Sequence, residues 1–573
     1  MPLRILAFTA GVHDASAAAF DDYRLIAAAA EERFTRVKGQ GESLPWLAID
    51  EVLRIAGWRR SDVDVIATSR ACFPSLYLRY PLWRELCAVT RRWYGRERPY
   101  RDIAVLSHRF GITDTRQLIQ GESFLKYNSF RPDTPIHFAN HHESHALSAL
   151  FYTDWDDALI YTSDGIGDNV SYAMRSLKDG EITCHYGDDR WLTQQVNHAS
   201  LASAYGLATE ACGFRMWRHE GKLTGLAAYG EPKLAASMAA CFRFNAQDGL
   251  IESDFRRWSD MRDAMRRICR GQDRETIAAS IQKVTEDLAL QSVRWWLAKT
   301  GGRKLALAGG LFANVRLNRL LAEQLPVEEV FIFPAMGDDG LSVGSALTYL
   351  HARDGTESWL RQRRRLADVY LGRDYDGAID ETLARGGMRR LAGPPVETAV
   401  ELIRAGKAGA IYTGRMEFGP RALGARSIIA SPHDHAINDI LNQRLARSEF
   451  MPFAPFVLEE DAARVFEITD VNRYAAHFMT ITCGVRPEWR DRIPAVVHVD
   501  GTARPQIVRD EVNPLFAAIL RRFRDQTGLP VLINTSFNVH EEPIVNRPEE
   551  CLQALTDDRV DFVVTQQAVY VKG

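Results

Sequence analysis

The chain has 573 residues, more than the roughly 250–300 that one hydrophobic core serves, so two or more domains are expected. It is 46% hydrophobic and 25% charged, with net charge −3 and a pI near 6.6, a balance that draws it neither to nucleic acid nor to an anionic membrane. No apolar run approaches the ~20 residues of a membrane span, the opening residues turn polar too soon for a secretory leader, and the eight cysteines form no CxxC pair. A cytoplasmic chain with no zinc knuckle or redox dithiol is therefore expected.

In chain order, LRILAF (3–8) runs into TAGVHDASAAAF, and DALIYTS (157–163) into DGIGDNVSYAMRS. KLALAGG (304–310) runs into LFANVRLNRLLAEQL, and EVFIFPAMGDDG (329–340) into LSVGSALTYLHAR. Each is a short apolar run closed by a Gly/Asp turn, the pattern of a buried strand. TIAASIQKVTEDLALQSVRWWLAK (276–299) has the apolar spacing of an amphipathic helix. Strand–turn–strand early and strand–turn–helix late predicts a duplicated actin-like (ASKHA-type) α/β domain over 1–353, any doubly wound α/β domain being the plainer alternative.

Residues 70–120 interleave ten arginines with eight aromatics. That composition suits a helical cover whose arginines lie along apolar surface, and it also suits an acceptor-side lid. DGTESWLRQRRRLA (354–367) reads as a solvated interdomain connection. A second α/β domain follows over 368–573, with a helix over ETAVELIRAG (397–406) closed by Gly406 and strands at AGAIYTG (408–414), LPVLINTSF (529–537) and DFVVTQQAVYV (561–571).

The sharpest local string is NHHESHALSALF (140–151). Asn140 can cap a helix, which puts His141 and His145 one turn apart on one face, a spacing that chelates a metal if oxygen ligands complete the set. Asp164 and Asp168 in SDGIGD and Asp338 in GDDG are the candidates, each on a turn after a predicted strand; His142 reads as a supporting residue. Gly309 and Gly310 in AGGLFAN form either an adenosine seat or a plain tight turn. MWRHEGKLTGLAAYGEPK (216–233) sets Lys222 among glycines. Arg415, Arg421 and Arg426 in GRMEFGPRALGARSI, Arg504 in HVDGTARPQIV, and Ser536 in NTSFN suit an oxyanion ligand, because the guanidinium fork matches phosphate and carboxylate.

Ten ordered strings make the chain similar to the NodU/CmcH family of O-carbamoyltransferases: HDASA, EERFTR, HHESHA, SDGIGD, EGKLTGLAAYG, GDDG, EFGPRALGARSI, PFAPFVL, DGTARPQ and NTSFN. The resemblance implies an actin-like transfer domain followed by a YrdC-like α/β domain. It implies ATP and carbamoyl phosphate as co-substrates, joined as carbamoyl adenylate by the YrdC-like domain. The first domain then passes the carbamoyl group to a hydroxyl of a small molecule such as a natural product or sugar. A divalent metal is implied, iron(II) in the family, with magnesium(II) accompanying ATP. Family positions put the metal on His141, His145 and Asp338, with Asp164 and Asp168 nearby, and carbamoyl phosphate or nucleotide on Arg421, Arg504 and Ser536. Asp164 joins the candidate metal set, Gly309, Gly310, Asn314 and Lys222 are the candidates for the nucleotide, and Arg415 and Arg447 are further candidates for carbamoyl phosphate or adenylate. His13 and Asp14 are candidates to orient or deprotonate the acceptor hydroxyl beside His141. The mixed anhydride hydrolyses readily and is expected to be kept from water.

Many relatives carry a lysine just before PFAP. Here NQRLARSEFMPFAP has none, leaving Arg444 or Arg447 to supply the charge. A threonylcarbamoyl-type tRNA-modifying enzyme is the alternative reading, and the net charge of −3 argues against it. The sequence leaves open the acceptor, the metal and the oligomeric state, a homodimer included.

Overall fold

The computed structural model describes residues 2–41, 43–70, 72–79, 100–194, 198–447 and 452–573. The chain divides into two compact units, residues 1–35 with 39–366, and residues 36–38 with 367–573. No helix among the described residues is long and apolar enough to cross a membrane.

The first unit holds two five-stranded sheets of one design. In the first, β1 (Arg4–Thr9), β2 (Ser16–Asp21), β3 (Arg24–Ala30), β4 (Val65–Ser69) and β5 (Ile136–Ala139) lie in the order β3-β2-β1-β4-β5. In the second, β6 (Ala158–Gly167), β7 (Val170–Lys178), β8 (Glu181–Tyr186), β9 (Lys304–Ala308) and β10 (Glu329–Ile332) repeat it as β8-β7-β6-β9-β10. Each copy runs its first three strands as an antiparallel meander and adds its last two in parallel. The parallel additions need crossovers, which is where the helices fall. This repeat is the duplicated actin-like α/β arrangement expected from the strand–turn pattern.

Helix α1 (Trp46–Ala56) covers β2 and β3 with Ala48, Ile49, Val52 and Leu53 buried. Helix α2 (His141–Phe151) packs on β6 and β9 of the second sheet. The expected amphipathic helix is α3 (Arg274–Thr300), capped by Asp273. Helices α4 (Val315–Gln324) and α5 (Leu341–Arg361) follow, and α5 packs on both β1 and α2. Gly344 of α5 permits that approach, since a Cβ there would stand 2.1 Å from the Ser144 carbonyl oxygen. The α2–α5 pair thus lies between the two sheets and brings HHESHA and GDDG together.

The polar segment 354–367 ends at the division between the units and is largely exposed, but its first half is helical. Helix α5 continues to Arg361 through a break at Gly355 (φ 75°), because Trp359 is fully buried and donates its indole N–H to Leu347 O. Arg363 bonds Trp155 O at 2.7 Å and Arg365 pairs with Asp154 at 2.9 Å, so these arginines fasten the helix end to the first unit.

The second unit contains β11 (Tyr370–Asp374), β12 (Arg389–Arg390), α6 (Pro395–Arg404), β13 (Gly409–Tyr412), β14 (Arg415–Glu417), β15 (Arg426–Ala430), β16 (Ala454–Leu458), β17 (Gln506–Val508), α7 (Pro514–Thr527), β18 (Val531–Ser536), β19 (Phe562–Val564) and β20 (Val569–Val571). Its main sheet is mixed and eight-stranded, in the order β12-β20-β19-β13-β15-β18-β16-β17. Strand β11 pairs separately with β14. The run 561–571 makes the antiparallel pair β19–β20.

Candidate functional site

Asn140 caps α2, its Oδ1 accepting the Glu143 N–H at 3.0 Å, an arrangement worth about 1 kcal/mol. The helix then sets His141 and His145 on one face with ring centroids 4.8 Å apart. Gly167 makes the room: a Cβ there would meet the His141 ring at 2.2 Å. Asp164, in the last part of β6, and Asp338, at the start of the 3-10 turn Asp338–Gly340 that follows β10, complete the group. One ligand atom from each of His141, His145, Asp164 and Asp338 lies within 4.8 Å of the others.

Four atoms held ~2.1 Å from one tetrahedral centre stand about 3.4 Å apart. The observed separations from His141 Nε2 are 3.6 Å to Asp164 Oδ2 and 3.7 Å to Asp338 Oδ1, and from His145 Nε2 they are 3.1 and 3.7 Å to the same atoms. His141 Nε2 and Asp338 Oδ1 are buried without a hydrogen-bond partner. Buried polar atoms are rarely left unmet, and two imidazoles with two carboxylates are donors that suit a divalent cation. The residues therefore fit the implied metal. Burial disfavours the charged imidazole of His141, but the nearby carboxylates of Asp164 and Asp338 more than offset it and raise His141 to about 9. The same histidines hold Asp164 well below the usual carboxylate range against its burial. His142 faces away, its ring nitrogens on Thr162 Oγ1 (2.9 Å) and Val170 O (3.1 Å), and burial keeps it neutral. Asp168 accepts the His141 backbone N–H at 2.9 Å.

His13 and Asp14 sit beside this group, Nδ1 of His13 lying 2.9 Å from Asp14 Oδ2. Burial would lower His13, but Asp14, Asp338 and Asp164 together raise it to about 10. The Trp217 ring stands 5.9 Å from the His13 ring.

The residues expected around the nucleotide are placed as follows. Gly309 has φ +100°, and a Cβ would stand 2.2 Å from Ser163 O, so this glycine lets β9 and β6 approach. A Cβ on Gly310 would stand 3.1 Å from Asp164 Oδ1. Asn314 caps α4 through Oδ1 and donates Nδ2 to Gln282 at 2.9 Å, so both ends of its amide serve the scaffold. Lys222 is buried, its ammonium 5.9 Å over the Phe214 ring.

In the second unit the arginines of EFGPRALGARSI divide by task. Arg415 donates to Leu371 O and Gly372 O. Arg426 is fully buried, stacks 3.8 Å over Tyr412 and donates to Thr413 O, Ala425 O and Gly414 O. Glu417 gathers the loop between them, its Oε1 accepting the N–H groups of Leu423, Ala425 and Arg426. Arg421 differs: its Nε is buried without a hydrogen-bond partner, and desolvation alone pushes its guanidinium down to about 10. Among the described residues no carboxylate pairs with it. Arg447 donates to Thr535 Oγ1, to the carbonyl and hydroxyl oxygens of Ser536, and to Asn538, so it braces the NTSFN turn. Arg444 pairs with Asp561 at 3.0 Å. Arg504 is half-buried in the loop between Thr502–Ala503 and β17. Residues 448–451, just before PFAP, lie outside the described residues, as do 80–99 of the arginine/aromatic segment. The described part of that segment places Phe73 and Tyr77 in the core beside Phe124.

Sequence reasoning passed over Glu417 and Asp189, and took Arg70 only as one arginine among ten. A carboxylate three residues before Pro420, in a string with no other acid, was the one local signal for Glu417.

A model of the carbamoyltransferase N-terminus matches residues 4–347, and one of the carbamoyltransferase C-terminus matches residues 400–572. The chain is 31% identical to an uncharacterized protein of Synechocystis, over 99% of this chain and 96% of that one. It is 31% identical to nodulation protein NolNO of Sinorhizobium fredii, over 96% of this chain and 78% of that one. It is 31% identical to nodulation protein NolO of Bradyrhizobium diazoefficiens, over 74% and 77%. Among solved structures, the ROK hexokinase of Thermus thermophilus aligns over 61% of this chain and 100% of its own, with 13% identity and a TM-score of 0.33. With both family models matched in order and relatives aligned over nearly its whole length, the chain belongs to the carbamoyltransferase family and is a carbamoyltransferase.

Proposed function

We propose that this carbamoyltransferase works in two half-reactions, an ATP-dependent activation on the YrdC-like second unit and an O-transfer to a small-molecule hydroxyl on the first. In the activation, water takes the phosphoryl group of carbamoyl phosphate. An oxygen of the resulting carbamate attacks the α-phosphorus of ATP, pyrophosphate leaves, and carbamoyl adenylate remains. In the transfer, the acceptor oxygen attacks the carbamoyl carbon, AMP leaves, and the hydroxyl proton passes to the protein. The observation that carries this reading is the buried His141–His145–Asp164–Asp338 group with its unmet nitrogen and oxygen.

A bound divalent metal, iron(II) in our reading, would polarise the carbamoyl carbonyl or hold the adenylate phosphate. In our reading the His13–Asp14 pair, with Nδ1 2.9 Å from Asp14 Oδ2, orients the acceptor hydroxyl beside the metal group. Arg421 supplies an unpaired guanidinium for the phosphate of carbamoyl phosphate or of the adenylate. Lys222, Arg504 and the Ser536 turn belong to the same nucleotide and anion reading. The relatives named for nodulation favour a small-molecule acceptor over tRNA.

The test is incubation of the full chain with ATP, carbamoyl phosphate and a panel of hydroxylated metabolites, followed by mass spectrometry. A carbamoyl mass gain with one pyrophosphate released per transfer is expected. Carbamoylation without ATP would sink the two-step scheme.

A proton on His141 also gives the metal site a pH signature. A cation must displace that proton, held to about 9 in the metal-free chain. Affinity for Mn(II) is therefore expected to rise about tenfold per pH unit from pH 6.5 towards 9 and then level off, as one displaced proton requires. Titrations at pH 6.5, 7.5 and 8.5 check this, and a flat profile contradicts it.

A further inference from the structure

We propose that Arg70 and Asp189 are positioning residues that hold the first turn of α2, and with it both imidazoles of the metal group, in register with Asp338. The proposal rests on the metal reading given above.

Arg70 follows β4 and is 6% exposed. Its fork reaches two carboxylates: Nη1 lies 3.2 Å from Asp168 Oδ2 and 2.6 Å from Asp189 Oδ1, and Nη2 lies 2.5 Å from Asp189 Oδ2. Both carboxylates then grip α2. Asp168 Oδ2 accepts the His141 N–H at 2.9 Å, and Asp189 Oδ1 accepts Asn140 Nδ2 at 2.8 Å. Asn140 is the cap of the same helix. The helix start is thus tied to β4 and to the segments around Asp168 and Asp189 through one guanidinium. Two acids at a helix N-terminus also complement its dipole. Without Arg70 they would repel each other and the nearby Asp164 and Asp338.

Asp168 holds φ +47°, a left-handed conformation uncommon in a non-glycine residue. Its Oδ2 is already shared by Arg70 and the His141 amide, which argues against it as a ligand and for it as a brace. The purpose of such bracing is geometric. Metal–ligand distances tolerate only about ±0.2 Å, and losing a partner that orients a ligand typically costs 10–100-fold in affinity. Lysine cannot replace the fork, since one ammonium does not span two carboxylates in this way.

The experiment is titration of the chelator-stripped full chain with Mn(II), read by electron paramagnetic resonance of free and bound ion. Arg70→Lys and Asp189→Asn are each expected to weaken Mn(II) binding 10–100-fold and to broaden the bound-ion spectrum, while carbamoyl-phosphate-dependent pyrophosphate release stays at the wild-type rate. Glu329→Gln breaks the distant pairing with Arg365 and Trp155 and is expected to leave Mn(II) affinity unchanged. Wild-type affinity in both site variants, or equal weakening in Glu329→Gln, overturns the proposal. A wild-type chain that binds no Mn(II) removes the metal reading itself, and the positioning role falls with it.

Discussion

His141→Ala is expected to abolish carbamoyl transfer while leaving pyrophosphate release from ATP and carbamoyl phosphate intact. The imidazole contributes one of four converging donor atoms, and its Nε2 has no hydrogen-bond partner. Removing it leaves the buried Asp164 and the half-buried Asp338 with one fewer cationic or metal-mediated partner. Deleting a single preorganised group that stabilises developing charge costs on the order of 10²–10³-fold, and here the bound ion is lost as well, so the effect should reach at least that range. In the proposed scheme the activation half-reaction belongs to the second unit, which does not include α2. The measurement pairs a pyrophosphate assay with mass spectrometry of the acceptor, and circular dichroism confirms the fold. Loss of both half-reactions in a folded His141→Ala protein contradicts the division of labour.

Much of this was legible because the chemistry is local. Asn140, His141 and His145 occupy one helical turn and a half, so spacing alone predicts their shared face. The strands before SDGIGD and GDDG are short apolar runs closed by glycine and aspartate, and the sheet order follows from their repetition. What was not legible is carried by contacts remote in sequence. Arg70 meets Asp168 and Asp189 across 98 and 119 positions, and no pattern within a 50-residue arginine-rich stretch separates it from its neighbours. The segment 354–367 looked like a connection because it is rich in arginine and polar residues, yet the buried Trp359 keeps its first half helical. Composition averages over a segment, whereas one buried indole decides where a helix ends.

The glycine and arginine strings show a related limit. Gly309 fits a ligand seat by type, and in the structure it answers a strand approach, with Ser163 O where a Cβ would be. Arg415, Arg426 and Arg447 fit an anion site by type, and their forks are occupied by carbonyl and hydroxyl oxygens. A guanidinium has five donors, and the scaffold can consume them as readily as a phosphate can. Sequence supplies the donors, and only the fold shows which remain unmet.

Arg421 is the arginine that remains, and its substitution should separate stability from activity. Arg421→Ala is expected to reduce carbamoyl-phosphate-dependent pyrophosphate release by about 10²-fold or more, the range for losing one charge-stabilising group. Its thermal stability should hold or rise. Desolvation depresses the half-buried guanidinium to about 10 and no described carboxylate pairs with it, so its removal breaks no ion pair of the folded chain. Arg415→Ala provides the opposite case, because its removal strands the carbonyls of Leu371 and Gly372 and should lower stability. Transfer from carbamoyl adenylate supplied directly should survive in Arg421→Ala, since the metal group and His13 are untouched. A scaffold arginine loses stability first and activity as a consequence. A ligand-binding arginine held unpaired in the fold loses activity while the protein melts no earlier, and a lower melting temperature with proportionate loss of both half-reactions would place Arg421 with Arg415 instead.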